Sequence, residues 1–319
     1  MASFLCGVDI GGTKLSVGLV RETGEVLDQT TVYDHVKKAP DQILEAVSGL
    51  VHGLLAKHGL READLRGVGV ATAGHLRYRD GVLITMSNLE GFRNYPIRDR
   101  LQAFFSVPVE VDNDANAQAL AESQFGAGRG YRDMIFMTIS TQIGAGIVLD
   151  GRLFRGMTGT AGEIGHTIVD PNSNQVCPCG NRGCLISVAS GIALPAVVER
   201  KLREGTPSKR VSLATLGSVV IDGNFIREGL AQNDPVCLSV VAEYAHFLGI
   251  GIYNLFQIFN PEAVVLGGGL TQWGAPLFDA IRVRFKELAR DMMFDPMVIL
   301  PGTVANSGLV GAASLVTLR

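Results

Sequence analysis

The chain has 319 residues, and its 28 Lys and Arg against 31 Asp and Glu give a formal net charge of −3. This length predicts about two domains. A hydrophobic fraction of 47% is enough for a packed core and excludes general disorder. The absence of a basic excess argues against nucleic acid or an anionic membrane surface as a partner. Glycine, at 39 residues, is the enriched type that calls for an explanation.

Targeting and cysteine signals point to a cytoplasmic protein. The N-terminal residues lack the basic and apolar regions of a signal peptide. The most apolar window, Leu248–Phe259, is predicted to be too short to span a membrane. Three of the five cysteines lie within Cys177–Cys184, which favours a local metal site in a reducing compartment over a disulfide scaffold.

Hydrophobic patterns in the first half predict a hairpin, a third strand, an amphipathic helix and a buried strand. The segments are Phe4–Ile10 with Leu15–Val20, then Glu25–Val32, Asp41–His58 and Val68–Ala71. Asp41 is the predicted N-cap or first-turn acid of the helix, and Gly59 ends it.

A similar pattern starts again near residue 133. The apolar runs Met134–Ile139 and Ala145–Leu149 flank a turn, Asp150-Gly151 is a second hairpin turn, and Ala263–Leu266 is a later strand. The sequence therefore predicts two related α/β halves that share a cleft. Their boundary is expected at residues 110–130, around a helix that starts at Ala115. A small-residue helix over 308–317 is expected to return to the first half.

The segment Asp9-Ile10-Gly11-Gly12-Thr13-Lys14 has the features of a phosphate-binding turn. Glycines leave backbone N–H groups open to a phosphate, Lys14 adds a cation, and Asp9 could hold Mg²⁺ through water. The alternative is an ordinary hairpin turn with a lysine at its edge.

A second polar cluster follows the apolar strand at Val109. Asp112, Asn113, Asp114 and Asn116 crowd the strand end, where open α/β sheets bind ligands. A carboxylate there could accept a proton from a substrate hydroxyl. The alternative is ordinary capping of the next helix.

A third cluster has the donor set of a closed tetrahedral zinc site. His166, Cys177, Cys179 and Cys184 supply one nitrogen and three sulfurs, and glycines between the cysteines allow tight turns. The alternative is a core histidine beside buried free cysteines. Cys6 and Cys237 are expected to be core residues.

A fourth segment ends in Gly267, Gly268 and Gly269. A flat ring could approach the backbone there, or the glycines could form a flexible loop before a helix.

Together these four segments, in this order, resemble the ROK family of repressors, open reading frames and sugar kinases over essentially the whole chain. The resemblance implies the actin/hexokinase-like α/β fold: two ribonuclease H-like domains around a central cleft, with a small zinc knuckle. The domains expected are 1–117, completed by 304–319, and 118–303, with the knuckle at 163–187. A cytoplasmic homodimer is the assembly that the family suggests.

The resemblance also implies residue roles. Asp114 would be the catalytic base, and sugar hydroxyls would be held by Gly74, His75, Asn88, Asn113, Glu163 and His166. ATP and Mg²⁺ would be bound by Asp9, Gly11, Gly12, Thr13, Lys14, Thr141, Gln142, Gly267, Gly268 and Gly269. Structural Zn²⁺ would be bound by His166, Cys177, Cys179 and Cys184.

Three departures from the family pattern bear on function. The second phosphate loop reads Ser140-Thr141-Gln142, where the family has glycines beside the threonine. Ala73 replaces the proline before the sugar loop at Gly74. Ile186 replaces a glutamate that accepts sugar hydroxyls, and His75 is a candidate replacement for that contact.

The sequence therefore predicts an ATP-dependent kinase of a sugar or sugar-like substrate, with an atypical hexose, amino sugar or cyclitol favoured over plain glucose. The alternative is a catalytically impaired sensor of a sugar or metabolite that keeps the same fold. A zinc hydrolase fits poorly, because four protein ligands leave no open position for water.

Overall fold

A computed structural model describes residues 4–86, 89–290 and 297–318 of the chain. The strands are β1 (Phe4–Ile10), β2 (Leu15–Arg21), β3 (Val26–Val32), β4 (Leu65–Thr72), β5 (His75–Arg77), β6 (Val82–Thr85), β7 (Arg93–Tyr95), β8 (Val109–Asn113), β9 (Met134–Ile139), β10 (Ile143–Leu149), β11 (Arg152–Phe154), β12 (Ala263–Gly267) and β13 (Val298–Pro301). The α-helices are α1 (Pro40–Lys57), α2 (Ile97–Gln102), α3 (Asp114–Phe125), α4 (Leu185–Ala189), α5 (Leu194–Arg203), α6 (Gly223–Ala231), α7 (Pro235–Phe259), α8 (Ala275–Ala289) and α9 (Ser307–Ser314). The predicted α/β class is confirmed.

The chain forms two compact units. The first comprises Met1–Phe136, Gly146–Gly162 and Gly302–Arg319, and the second comprises Met137–Ala145 and Glu163–Pro301. The domain limits at residues 117 and 303 stay a prediction.

The first unit is built on a five-stranded sheet with the order β3-β2-β1-β4-β8. The strands β1, β2 and β3 are antiparallel, whereas β4 and β8 continue the sheet in parallel with β1. Because side chains alternate along a strand, Val8 and Val70 face a core that includes Ile43 and Val47 of α1. The predicted hairpin at Phe4–Ile10 is confirmed.

The opposite face of this sheet accepts a helix at very short range. An added Cβ at Gly7 or Gly69 would collide with the backbone of α9, and one at Gly311 of α9 would collide with the Ala117 carbonyl of α3. Glycine therefore allows sheet, α9 and α3 to approach closely. The predicted return of a C-terminal small-residue helix to the first sheet is confirmed.

The second five-stranded sheet has the order β11-β10-β9-β12-β13, and a three-stranded sheet has the order β5-β6-β7. The antiparallel pair β10 and β11 turns at Asp150 and Gly151, whose φ values of 52° and 72° match the predicted hairpin turn. β12 and β13 are parallel.

Helix ends differ slightly from the predictions. Helix α1 begins at Pro40, so Asp41 is a first-turn acid and not the N-cap, and Gly59 follows the C-cap with φ of 64°. Helix α3 begins at Asp114, one residue before the predicted start, because the Asn113 side chain caps it.

The apolar window at Leu248–Phe259 belongs to a longer helix than the window suggests. It forms the second half of α7, whose 25 residues are long and apolar enough to cross a membrane by length and composition alone. Helix α7 packs against α4, α5, α6 and α8. Such burial is typical of a core helix, and length alone is weak evidence for a span.

Candidate functional site

The loop between β1 and β2 places a lysine beside an aspartate. Gly11 N–H donates to the carbonyl of Lys14 over 3.0 Å, and Lys14 Nζ lies 3.7 Å from Asp9 Oδ2. Burial raises the pKa of the Asp9 carboxyl, and the Lys14 charge partly opposes that rise. Gly308, near the start of α9, lies close to this carboxylate: a Cβ added there would lie 3.1 Å from Asp9 Oδ2. The predicted loop residues Gly11, Gly12, Thr13 and Lys14 are thus together at the end of β1.

A residue that the sequence analysis missed supports this loop. His35 is fully buried, and its Nε2 lies 2.8 Å from the Gly11 carbonyl oxygen. The sequence signal that could have indicated this role was a single histidine in the largely polar segment after β3.

The end of β8 carries the predicted base. Asn113 Oδ1 accepts the Ala115 N–H at 2.8 Å as the N-cap of α3, and Asn113 Nδ2 donates to the Gly74 carbonyl at 3.1 Å. Asp114 is the first residue of α3, and its Oδ1 also accepts the Ala115 N–H. The capping alternative is confirmed for Asn113, and the catalytic role of Asp114 stays a prediction.

The predicted sugar loop starts beside Asn113. Gly74 has φ of 95°, and a side chain there would collide with the Thr85 carbonyl. His75 follows as the first residue of β5 and is exposed. Asn88 lies outside the described residues.

The four predicted zinc ligands converge in the second unit. One ligand atom from each of His166, Cys177, Cys179 and Cys184 lies within 4.8 Å of all the others. Cys179 Sγ is 3.8 Å from Cys184 Sγ, and Cys177 Sγ is 3.4 Å from His166 Nδ1. Tetrahedral zinc with Zn–S bonds of about 2.3 Å has S···S edges of about 3.8 Å, so the donor set fits Zn²⁺.

The thiols of this cluster differ in acidity. A hydrogen bond from the Asn181 backbone lowers the pKa of Cys179 to about 6, whereas burial raises the pKa of Cys184 to about 12. Because the Nδ1 atom of His166 faces the sulfurs, its Nε2 atom points away from the cluster and can form a hydrogen bond elsewhere. Glu163 lies immediately before the short helical turn Ile164–His166.

Ile186 lies in the core of the knuckle. Its side chain is 2% exposed and packs with Cys177 and Cys184. It occupies the first turn of the short helix α4, two residues after the last cysteine. The position where the family pattern has an acid is therefore apolar and enclosed.

A cavity of about 480 Å³ lies wholly within the second unit. Its lining combines two predicted nucleotide-site residues, Thr141 and Gly269, with residues that were missed. The lining is Ser140, Thr141, Gly191, Ile192, Asp222, Gly223, Asn224, Gly269, Leu270 and Gln272. Gln142, Gly267 and Gly268 are not in this lining. The missed lining residues Asp222, Gly223 and Asn224 lie at the start of α6, where Asp222 is the N-cap. An aspartate before a Gly-Asn pair was the sequence signal that could have indicated them.

Two glycines lie at this cavity, Gly191 in its lining and Gly268 immediately before the lining residue Gly269. Gly268 has φ of 90°, and a side chain there would meet the backbone of Ile139 in β9. Gly191 N–H donates to the Ser140 carbonyl, and Ile192 N–H donates to the Thr141 carbonyl. The backbone of the 140–141 turn is thus fixed on one side by the residues before α5.

Comparison with known proteins relates this arrangement to sugar kinases. The model of the ROK family matches residues 5–319. A glucokinase of Halalkalibacterium halodurans is 32% identical over 311 residues, which are 97% of this chain and 94% of the relative. A xylose repressor of Caldicellulosiruptor bescii is 31% identical over 87% of this chain and 69% of its own length. The crystal structure of a ROK family glucokinase from Streptomyces griseus in complex with glucose and AMPPNP superposes with a TM-score of 0.81, at 32% identity and 98% coverage of both chains.

Proposed function

The chain belongs to the ROK family, and we propose that it is an ATP-dependent kinase that phosphorylates a hydroxyl group of a sugar or sugar-like substrate. The observation that carries this proposal is the pair Asn113-Asp114 at the carboxyl end of β8, in the same unit as the Asp9–Lys14 loop. Asn113 caps α3 and bonds to Gly74, which leaves Asp114 at the sheet edge where α/β proteins bind ligands.

Asp114 would act as general base. The substrate hydroxyl oxygen forms a bond to the γ-phosphorus of ATP while the bond from that phosphorus to the bridging oxygen of ADP breaks. The Asp114 carboxylate accepts the hydroxyl proton and later releases it to solvent. Positioning and electrostatic stabilisation dominate such transfers, so Lys14 and the N–H groups of Gly12 and Thr13 would serve the phosphates.

Asp9 fits a role at a cation. Its carboxylate is mostly buried, and burial raises its pKa despite Lys14, so a divalent ion near it would favour the charged form. Mg²⁺ supplies charge that offsets the phosphates when it is bound, and Asp9 is the residue that would hold it.

The cavity at Ser140, Asp222 and Gly269 is the proposed adenosine site. Its volume suits a nucleoside, and its lining mixes backbone glycines with polar side chains such as Asn224 and Gln272. Thr141 would face the phosphates. Gln142 would offer an amide donor where the family pattern has a glycine.

The Cys-His cluster is proposed to bind structural zinc. His166 would bind through Nδ1, which orients Nε2 toward a sugar hydroxyl. Glu163, in the same unit as the cluster, would hold a further hydroxyl, and Asn113 and His75 of the first unit stay predicted sugar contacts.

Ile186 supports a substrate other than plain glucose. The family pattern has a carboxylate at this position that accepts a sugar hydroxyl, whereas the enclosed Ile186 side chain offers no acceptor, so a sugar that relies on this hydrogen bond loses about 1–3 kcal/mol. An amino sugar, a cyclitol or an atypical hexose would avoid that loss if it lacks the hydroxyl or presents it elsewhere.

The test is ATP-dependent ADP release over a panel of hexoses, amino sugars and cyclitols, with Asp114→Asn as the matched variant. We expect turnover with at least one panel member and its loss in the variant. Turnover that survives in Asp114→Asn, or the absence of turnover with every panel member, would contradict the proposal.

The second candidate is a sensor that binds a sugar or metabolite without phosphorylating it. It is favoured by Gln142 and Ile186, which replace a loop glycine and an acid of the family pattern, and repressors are among the relatives. Calorimetry with ATP and Mg²⁺ separates the candidates, because a sensor that has lost catalysis need not bind nucleotide. A homodimer is proposed on the family resemblance alone, and a cytoplasmic location on the cysteine usage.

A further inference from the structure

Asp112 is a buried carboxylate immediately before the proposed catalytic pair. Its side chain is 1% exposed, on the face of the first sheet that α3 and α9 cover. In the strand register it lies beside Ala71 of β4, and Ala71 in turn lies beside Asp9 of β1. The two carboxylates thus share one face, two strand spacings or about 10 Å apart.

Every contact that the structure gives Asp112 is tied to the start of α3 or to a single arginine. Its Oδ1 accepts the Asn113 N–H at 2.7 Å and Asn116 Nδ2 at 2.9 Å. These donors stand on either side of Asp114 in the sequence. Its Oδ2 accepts Arg155 Nε at 2.7 Å.

Arg155 is itself held in place. Its guanidinium carbon lies 3.8 Å from the centre of the Tyr78 ring, and its side chain is 17% exposed. Its Nη2 is buried and has no hydrogen-bond partner among the described residues. An arginine with a stacked plane, one ion pair and an unused buried donor has a geometry set by Asp112 and Tyr78.

We propose that Arg155 is a positioning residue for Asp114 and acts through Asp112. The Arg155 guanidinium pairs with the buried Asp112 carboxylate, and that carboxylate holds the Asn113 N–H before Asp114 and the Asn116 side chain after it. The inference rests on the proposed role of Asp114 as base.

Loss of Arg155 would leave Asp112 as an unpaired buried charge. The Asp112 carboxylate would then no longer be held by Arg155, and a shift of that carboxylate weakens its bonds to Asn113 and Asn116. Because a misplacement of about 1 Å can cost about 100-fold in rate, the expected defect lies in kcat and not in substrate binding.

The variants are Arg155→Met, Arg155→Lys, Asp112→Asn and the double variant Arg155→Met/Asp112→Asn. Arg282→Met is the matched control, because Arg282 also pairs with an aspartate and lies over an aromatic ring, but on α8. Each variant is assayed in the full chain for kcat, both KM values, the pH profile of kcat and thermal unfolding, with the best substrate of the panel.

We expect Arg155→Met to lower kcat by about 10- to 100-fold with both KM values within about threefold. The pH profile of kcat should shift, because the surroundings of the proposed base Asp114 change. Arg155→Lys should recover part of kcat, and the double variant should be less impaired than the product of the single effects. Arg282→Met should keep the wild-type kcat.

Two outcomes would overturn the inference. One is a folded Arg155→Met with wild-type kcat and pH profile, while Asp114→Asn is inactive; this outcome leaves the proposed kinase function intact. The other is a wild-type chain without phosphoryl transfer, which removes the proposed function and this inference together. If Arg155→Met loses activity only because less of the protein is folded, and kcat per folded molecule is unchanged, the inference is overturned as in the first outcome.

Discussion

The imidazole Nε2 of His35 lies 2.8 Å from the carbonyl oxygen of Gly11. A carbonyl only accepts hydrogen bonds, so Nε2 carries the proton and donates. The ring is fully buried, and its Nδ1 has no hydrogen-bond partner among the described residues. The first turn of the proposed phosphate loop therefore depends on a side chain 24 residues away.

Replacement of His35 should weaken nucleotide use. His35→Leu leaves the Gly11 carbonyl unpaired at a cost of about 1–3 kcal/mol, so we expect the KM for ATP to rise about 5- to 100-fold. His35→Gln keeps a donor and should recover part of the loss. Steady-state kinetics with ATP varied, together with thermal melts, measures this. Equal KM values for His35→Leu and wild type would exclude the role.

Removal of one zinc ligand should release the metal. Cys184→Ala leaves three protein donors, so we expect the purified chain to lose its zinc equivalent and its Tm to fall by about 5 °C or more. Elemental analysis by mass spectrometry and calorimetry measure both. Cys237→Ala is the control, because Cys237 is buried in α7 outside the cluster. A wild-type chain that holds no zinc would argue for free cysteines, and a zinc equivalent that remains in Cys184→Ala would mean that the metal binds elsewhere.

Restoring an acid at position 186 should improve the use of glucose. In Ile186→Glu we expect the glucose KM to fall about tenfold, since a hydrogen bond to a carboxylate contributes about 1.5–3 kcal/mol. The Tm should fall as well, because the position is 2% exposed and the carboxylate is desolvated. Ile186→Val is the apolar control and should leave the glucose KM near wild type. If Ile186→Glu is folded and its glucose KM is unchanged, position 186 does not determine specificity.

The surface pair His52 and Glu62 should make stability depend on pH. His52 Nε2 lies 2.6 Å from Glu62 Oε1, and this hydrogen bond raises the pKa of His52 above its ordinary 6.5. The folded state therefore binds the proton more tightly, so the stabilisation is fully present below pH 6.5 and is lost as pH rises through the raised value. The His52 side chain is 45% exposed, so the effect is small.

Thermal melts from pH 5 to 9 test this linkage in wild type and His52→Gln. We expect wild type to exceed the variant by about 1–2 °C at the acidic end and the difference to shrink above the His52 pKa. A difference that grows toward alkaline pH would contradict the sign.

Two glycine substitutions should have opposite effects on stability. Gly311→Ala places a methyl group against the Ala117 carbonyl where α9 meets α3, so we expect a loss of more than about 2 kcal/mol. Gly53→Ala adds a methyl group where α1 has open space, and should gain about 0.5–1 kcal/mol. Chemical denaturation measures both. If Gly311→Ala leaves the free energy of unfolding unchanged, α9 and α3 can move apart without loss of stability.

Local patterns predicted the longer strands and the Cys-His cluster because their signals are carried by nearby residues, whereas the short strands β5, β6, β7, β11 and β13 were not predicted. The runs at Phe4–Ile10 and Met134–Ile139 are bounded by turns and match β1 and β9 to the residue. The Cys177–Cys184 segment converges because its glycines allow the chain to fold back within a few residues.

Contacts between distant segments could not be predicted in the same way. His35 and Arg155 lie in polar stretches without a motif, and their importance comes from burial against Gly11 and Asp112. Burial of a polar side chain depends on which elements pack over it. That packing cannot be read from local patterns in a single sequence. The wall of the cavity at Asp222 was missed for the same reason.

The return of α9 to the first sheet has a consequence for synthesis. Strand β1 is synthesised before the whole of the second unit, but α9, which covers Gly7 and Gly69, is synthesised only after that unit. Glu122 likewise obtains the Thr303 and Val304 N–H groups only then. One face of the first sheet therefore stays uncovered during synthesis until α9 is made. A product truncated before α9 would have a first unit that lacks one layer of its core.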